Sequence, residues 1–395
     1  MKNFFITTPI YYVNDVPHIG HAYTTLSCDI LSRYHKLKKD NVFFLTGTDE
    51  HGQKVEKAAN ELGKDVNIFT DEMSNNFKKL VKFLNCDADD FIRTTEDRHK
   101  ISVQYLWKKL LEKDQIYLGK YEGWYSVRDE AFYSENELTK KDGNFIAPSG
   151  ANVEWLKEES YFFRLSKWEK KLLDYYKKNP NSIAPKSRYN EVVSFIEGGL
   201  KDLSISRTTF KWGIPVPEHK EHVIYVWLDA LTNYITSIGY PNEDNDLFKN
   251  FWPGIHIVGK DILRFHAVYW PAFLMAADLK PPQKIYAHGW WTNEGQKISK
   301  SLGNIIDPYE IINTYGLDQI RYFLFREVPF GNDGDFSQKA ISNRVNADLS
   351  NNFGNLVQRV CTFINKNCNS IVQNNFVFEN EDKILLSNSE KKFVN

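Results

Sequence analysis

Hydrophobic and polar positions along the first fifty residues follow two different periods. NFFITT (3–8) is a short β-branched and aromatic run. After Pro17 the apolar positions Ile19, Ala22, Leu26, Ile30, Tyr34 and Leu37 fall three or four apart, which predicts a strand, a turn and a helix. NVFFLTGTDEHG (41–52) supplies a second strand that ends in a polar loop. Ligands of parallel sheets sit beyond the carboxyl ends of the strands, so residues 9–12 and 47–52 are expected beside one crevice.

From 116 to 212 the pattern becomes irregular. GKYEGWYSVRDEAFYSENELTKKDGNFIAPSG reads as hairpins and turns, followed by a helix rich in Lys and Tyr. This is expected to be an insertion between two halves of a sheet domain. The sheet pattern resumes at HVIYVWLDALTNYI and again at IHIVGKDILRFH, and KIYAHGWWT (284–292) reads as the last strand. Past 316–336 the text turns helical and asparagine-rich, through NADLSNNFGNLVQRVCTFINK, and there is no internal repeat. The expected fold is therefore α/β: a parallel sheet split by an insertion domain, followed by the start of an α-helical bundle. Its parts are 1–115 and 219–292 for the two halves of the sheet, 116–218 for the insertion, 293–336 for the segment after the last strand, and 337–395 for an incomplete bundle.

Composition narrows the possible partners. With 50 Lys+Arg against 51 Asp+Glu over 395 residues, the chain is no polycation, and nucleic-acid binding must come from local patches. Cys28, Cys86, Cys361 and Cys368 are scattered and form no C-x-x-C pair, which argues against a disulfide framework or a cysteine zinc site. The amino terminus is broken by Pro9 and Asn14 and lacks a small-residue cleavage site, so it reads as a strand rather than a signal peptide. No run approaches membrane-span length. A soluble, cytoplasmic protein is expected, with a monomer favoured.

Two short motifs carry the chemistry. KISKSLGN (297–304) sets Lys297 and Lys300 among small residues, and alone it is ordinary loop chemistry. PHIGH (17–21) lies where the first strand hands over to its helix. Unpaired N–H groups and the helix dipole favour an anion there, Gly20 would let a ligand approach the backbone, and His18 and His21 share one face. A capped helix with incidental surface histidines reads equally well from that motif alone.

Together, PHIGH after the first strand and KISKS after the last resemble the class I aminoacyl-tRNA synthetases, over nearly the whole chain. The resemblance implies a Rossmann-type sheet. It also implies an ATP site at His18, Gly20, His21, Lys297 and Lys300, with His18, His21, Lys297 and Lys300 acting on the phosphates and Mg2+ arriving with ATP. TTPIYYVND, FLTGTDEHGQKV, YVWLDAL and GKDILRFH resemble the methionyl-tRNA synthetase family within that class. For methionine, Ile10, Tyr12, Trp227, Ala230, Leu231, Tyr234, Ile262 and His266 would form an apolar and aromatic slot suited to a polarizable thioether. Asp49 would pair with the substrate ammonium, and Asp261 is a candidate for the same pocket. Each of these also has a structural reading: Trp227 and Tyr234 as core, His266 as a satisfied core histidine, Asp261 as a helix cap.

Size and missing thiolates separate the relatives. An apolar pocket distinguishes neighbours differing by one methylene only about 10 to 200-fold, which is why some class I enzymes carry a large editing domain. The insertion here is too short to hold one. Many methionyl enzymes bind zinc in a knuckle within the insertion, but here Ser126 and Asp129 stand where cysteines would be, and the later pair falls near 147–150. No structural zinc is expected; the knuckle is expected to be held by packing of Trp124, Tyr125, Phe132 and Tyr133. His219 and His222 read as solvated. In RVNADLSNNFGNLVQRV, Asn355 and Arg359 match positions that would contact the anticodon of methionine tRNA. The implied activity is methionine-tRNA ligation, ATP giving AMP and pyrophosphate. The rivals are another class I synthetase or a small-molecule nucleotidyltransferase with the same signatures, and a synthetase-like RNA-binding or regulatory protein.

Overall fold

Among the described residues, seven strands form one sheet in which every pairing is parallel. They are Asn3–Thr7 (β1), Tyr11–Tyr12 (β2), Asn41–Asp49 (β3), Asp90–Arg93 (β4), Ile183–Ala184, Ile255–Gly259 and Lys284–His288. In the computed structural model, which describes residues 2–14, 16–126, 128–129, 131–141, 143–298, 303–372 and 377–394, β1 is central. Its Ile6 lies opposite Phe44 of β3 on one side and Ile255 on the other. Ile6, Phe44, Leu45, Ile257, Val258 and Ala287 are buried, as a parallel sheet covered on both faces requires.

The turn after β1 positions the first half of the site. Beyond Pro9 the chain runs alongside the end of β3, pairing Tyr11 with Thr48 and Tyr12 with Asp49. It then enters the helix Ile19–Leu37 (α1). The periodic stripe holds for Ile19, Ala22 and Leu26 and fails at Leu37, which is 70% exposed, while Thr25, Asp29 and Ser32 are buried. Asp29 is tolerated inside because Arg33 and Arg321 pair with it at 2.8 and 2.6 Å, as a buried charge demands.

The insertion and the segment that follows it each depart from expectation in one place. The main sheet of the insertion is antiparallel, Ile116–Ser126 running against Glu154–Phe163 from the Ile116–Phe163 pair to the Tyr125–Glu154 pair. The two-residue strand Ile183–Ala184, well inside the insertion, nevertheless joins the edge of the parallel sheet beside Lys284–His288. Conversely, HVIYV does not resume that sheet. His219–Ile224 forms a separate antiparallel sheet with Ser206–Arg207 and Pro215–Val216, because those short strands lie next to it in the chain and offer local partners. His222 is accordingly buried, 3.0 Å from Ser206 Oγ, and is not solvated.

The chain divides into two compact units, Met1–Ser337 and Gln338–Asn395. The second is helical, with Gln338–Arg344, the wider-wound Val345–Gly354, Asn355–Asn367 and Asn380–Val394. Among the described residues no helix is long and apolar enough to cross a membrane.

Candidate active site

The carboxyl ends of β1, β3, Ile255–Gly259 and Lys284–His288 surround a cavity of about 690 Å³. Residues from both halves of the sheet reach it. From the first half come Ile10, Tyr12, His18, Gly20, His21 and Asp49; from the second come Trp227, Ala230, Leu231, Tyr234, Asp261, Ile262 and His266.

At one end the two histidines are fixed by backbone. Gly20 N donates to His18 Nδ1 at 3.1 Å, and His18 N donates to His21 Nδ1 at 3.1 Å. His18 is thus the N-cap of α1. Because each Nδ1 accepts, the hydrogen of each neutral ring sits on Nε2, the atom that can donate to an anion. Burial and the neighbouring His18 hold the His21 pKa well below the usual histidine range, so His21 is a neutral donor at pH 7. A Cβ at position 20 would lie 2.9 Å from His18 Cε1: the glycine makes room for the cap itself.

The feet of the KISKS segment lie beside that cap. Ile19 N donates to Ile306 O at 3.1 Å, and Asn293 Nδ2 donates to Asn304 O at 2.9 Å. Ile298 lines the cavity. Lys300 lies outside the described residues; for Lys297 only the backbone is described, paired with Thr292.

The other end is a slot held by side chains. His266 Nδ1–H donates to Ile262 O at 2.9 Å, which leaves Nε2 to accept from Tyr234 OH at 2.7 Å. Burial pushes the His266 pKa down to about 4, so the imidazole is neutral. Trp227 stacks on Phe265 with centroids 3.7 Å apart, and Tyr234 stacks on His256 at 3.9 Å. His266 falls in a π-helical stretch, Phe265–Tyr269, a local widening frequent at functional sites. Asp49, 8% exposed, lines the cavity from the end of β3. Asp261 is not a helix cap: its Oδ1 accepts from Trp290 Nε1 at 3.1 Å.

Several lining residues escaped the sequence reading. His288 accepts or donates at 2.8 Å to Thr24 and so joins the last strand to α1; its place directly after KIYA was the available signal. Arg128, Asp129, Tyr133 and Ser149 also line the cavity, and no local pattern marks a knuckle tip that reaches back to a distant sheet. Packing holds part of that knuckle, through Trp124 against Phe145 and Trp155. The rest is polar: Ser126 Oγ and Tyr133 OH donate to Asp129 Oδ2 at 3.0 and 3.1 Å, and Ser149 Oγ donates to the same atom. Among the described residues no group of three or more His, Cys, Asp or Glu could hold a metal ion. Asn355 and Arg359 lie on Asn355–Asn367 of the second unit, where Asn355 Nδ2 donates to Asn351 O at 2.6 Å.

A split parallel sheet whose strand ends bear PHIGH on one side and the KISKS segment on the other defines a class I tRNA synthetase, and the family model described as tRNA synthetases class I (M) matches residues 4–361. The chain is 61% identical to the methionine–tRNA ligase of Rickettsia felis over 93% of its length and 71% of the relative's. To that of Brucella melitensis it is 52% identical over 98% and 76%. A solved Mycobacterium tuberculosis methionyl-tRNA synthetase in complex with methionyl-adenylate superposes with a TM-score of 0.94 at 49% identity, covering 98% of this chain and 76% of that one. The chain belongs to the methionyl-tRNA synthetase family.

Proposed function

We propose that this chain activates methionine with ATP and transfers it to the 3′-terminal adenosine of methionine tRNA, with the cavity at the strand ends as the site of activation. The observation that carries this reading is the pairing, in one cavity, of an aromatic slot closed by Tyr234 and His266 with the His18–His21 cap.

Methionine enters with its side chain between Trp227, Tyr234 and His266 and its ammonium against Asp49. Its carboxylate oxygen attacks the α-phosphorus of ATP, a new P–O bond forms, and pyrophosphate leaves. His18 and His21 donate from Nε2 to phosphate oxygens, and Lys297 and Lys300 add positive charge as it is needed. The assignment of the lysines follows the KISKS pattern. Mg2+ enters with the triphosphate as part of the substrate. In the second step the 2′-hydroxyl of the terminal adenosine attacks the adenylate carbonyl and AMP leaves. Both attacking atoms belong to substrates, so the protein's contribution is positioning and charge. Asn355 and Arg359 serve anticodon reading.

Amino-acid-dependent ATP–pyrophosphate exchange tests the reading. Exchange with methionine alone among the twenty amino acids is expected; exchange with leucine or cysteine and none with methionine overturns it.

A further inference from the structure

Directly behind the slot a buried carboxylate bridges three elements. Asp229 lies on the helix Val226–Thr236 and is fully buried. Its Oδ2 is 2.7 Å from His51 Nδ1, in the loop after β3, and its Oδ1 is 2.7 Å from His99 Nε2, on the helix Asp97–Glu112. Burial opposes ionisation of Asp229, yet the charge and hydrogen bonds of His51 and His99 hold its carboxyl below the usual range. His99 is fully buried too, with Thr236 Oγ1 3.3 Å from its Nδ1. A buried ionised group held this way is costly to retain and resists displacement.

The positions flanking this bridge are those that meet the substrate. His51 is two residues beyond Asp49; Asp229 is two beyond Trp227 and next to Ala230. The rest of the loop is anchored elsewhere: Glu50 pairs with Arg93 at 2.7 and 3.0 Å, and Gly52 N donates to Trp212 O at 3.1 Å. Those anchors tie the loop to β4 and to the insertion. His51–Asp229 ties it to the helix that walls the slot.

We propose that Asp229 is a positioning residue that, through His51, sets the spacing between the Asp49 carboxylate and the thioether wall. The inference rests on Asp49 being the ammonium partner. A ligand gripped at both ends gains from its amine only when the two grips are in register, and register is lost with shifts well under an ångström. Asp229 thereby governs the amine-dependent part of methionine affinity and leaves the apolar part alone.

The test compares the dissociation constants of methionine and of its des-amino analogue, 4-(methylthio)butanoate, measured by calorimetry on the full chain. A charge-assisted contact is worth about tenfold or more in that ratio. Asp229→Asn and His51→Gln are each expected to lower the ratio by about tenfold while the analogue's own constant moves less than about threefold. His99→Gln, which cuts the other link, is expected to lower the melting temperature and keep the ratio. Asp49→Asn brings the ratio close to one. A wild-type ratio in His51→Gln or in folded Asp229→Asn, with the ratio lost in Asp49→Asn, overturns the inference and leaves the ammonium assignment standing. A wild-type ratio in Asp49→Asn overturns that assignment, and the inference with it.

Discussion

At the aromatic end of the cavity side chains hold one another, through Tyr234 to His266, His266 to Ile262 O and Trp227 against Phe265, whereas at the PHIGH end the backbone holds the side chains, with both histidine Nδ1 atoms occupied by N–H groups of the α1 cap. In the slot, the polar atoms of Tyr234 and His266 satisfy each other, which leaves an apolar and aromatic surface. At the cap, each neutral imidazole accepts at Nδ1 and so carries its hydrogen on Nε2, the atom left to donate. Under the proposed function, the first arrangement would bind ground state and transition state alike, and the second would respond to charge as it develops.

The largest effect should therefore come from the end that answers charge. Lys300→Ala is expected to slow adenylate formation by about 100 to 1,000-fold, the range for loss of one donor to a developing anion, with little change in methionine affinity. Single-turnover kinetics measures both, and unchanged turnover would return the KISKS segment to an ordinary solvated turn.

Trp227→Ala acts on the other end. Removing one apolar wall forfeits about 1.5 to 3 kcal/mol of side-chain burial. The loss is expected in the KM for methionine, about 10 to 150-fold, with kcat nearly constant. Equal losses in kcat would erase the contrast between the two ends.

Acid treats both ends alike, because both hold neutral histidines. His266 titrates near 4 in the folded chain, and burial also depresses His21, His256 and His288. An unfolded histidine titrates near 6.5, so below that pH the unfolded state binds more protons. Stability is then intact above pH of about 6.5 and falls toward pH 4, by up to about 1.4 kcal/mol per pH unit for each such group. Melting temperatures at constant ionic strength check this, and His266→Gln is expected to reduce the slope.

What could be read from the sequence follows from how far apart the cooperating residues lie. β1, its turn and α1 are contiguous, and a parallel strand buried on both faces is an unbroken apolar run, so residues 3–37 declare themselves. Motif spacing then pointed to one cavity, which PHIGH and, from KISKS, Ile298 line. Ile183–Ala184 is too short to carry any period, and its role as a sheet edge depends on a partner a hundred residues away. Asp229, His51 and His99 lie on a helix, a loop and another helix, and only folding joins them, across sequence separations of 178 and 130. The exposed Leu37 and buried Asp29 show the remaining limit, since a stripe of apolar residues does not reveal a paired charge that is drawn inside.

The smallest effect is expected at the third wall of the cavity, the knuckle tip. A zinc knuckle is closed by thiolate or imidazole ligands, and metal binding there contributes about 10 kcal/mol or more to folding. Here the corresponding centre is the Asp129 carboxylate, which accepts from Ser126, Tyr133 and Ser149. Hydroxyls and one carboxylate make a poor tetrahedral site for zinc, yet their charge-assisted hydrogen bonds close the same kind of loop. Chelator is therefore expected to leave the melting temperature within about 1 °C and methionine-dependent exchange unchanged, and elemental analysis should find no stoichiometric zinc. Asp129→Ala strips three donors of their acceptor at once, so it should increase proteolytic cleavage within 126–150 while the sheet end of the cavity keeps its affinity for methionine. One zinc per chain, or a knuckle that melts in chelator, would mean that the tip is held as a metal site and that the Asp129 cluster is only its accompaniment.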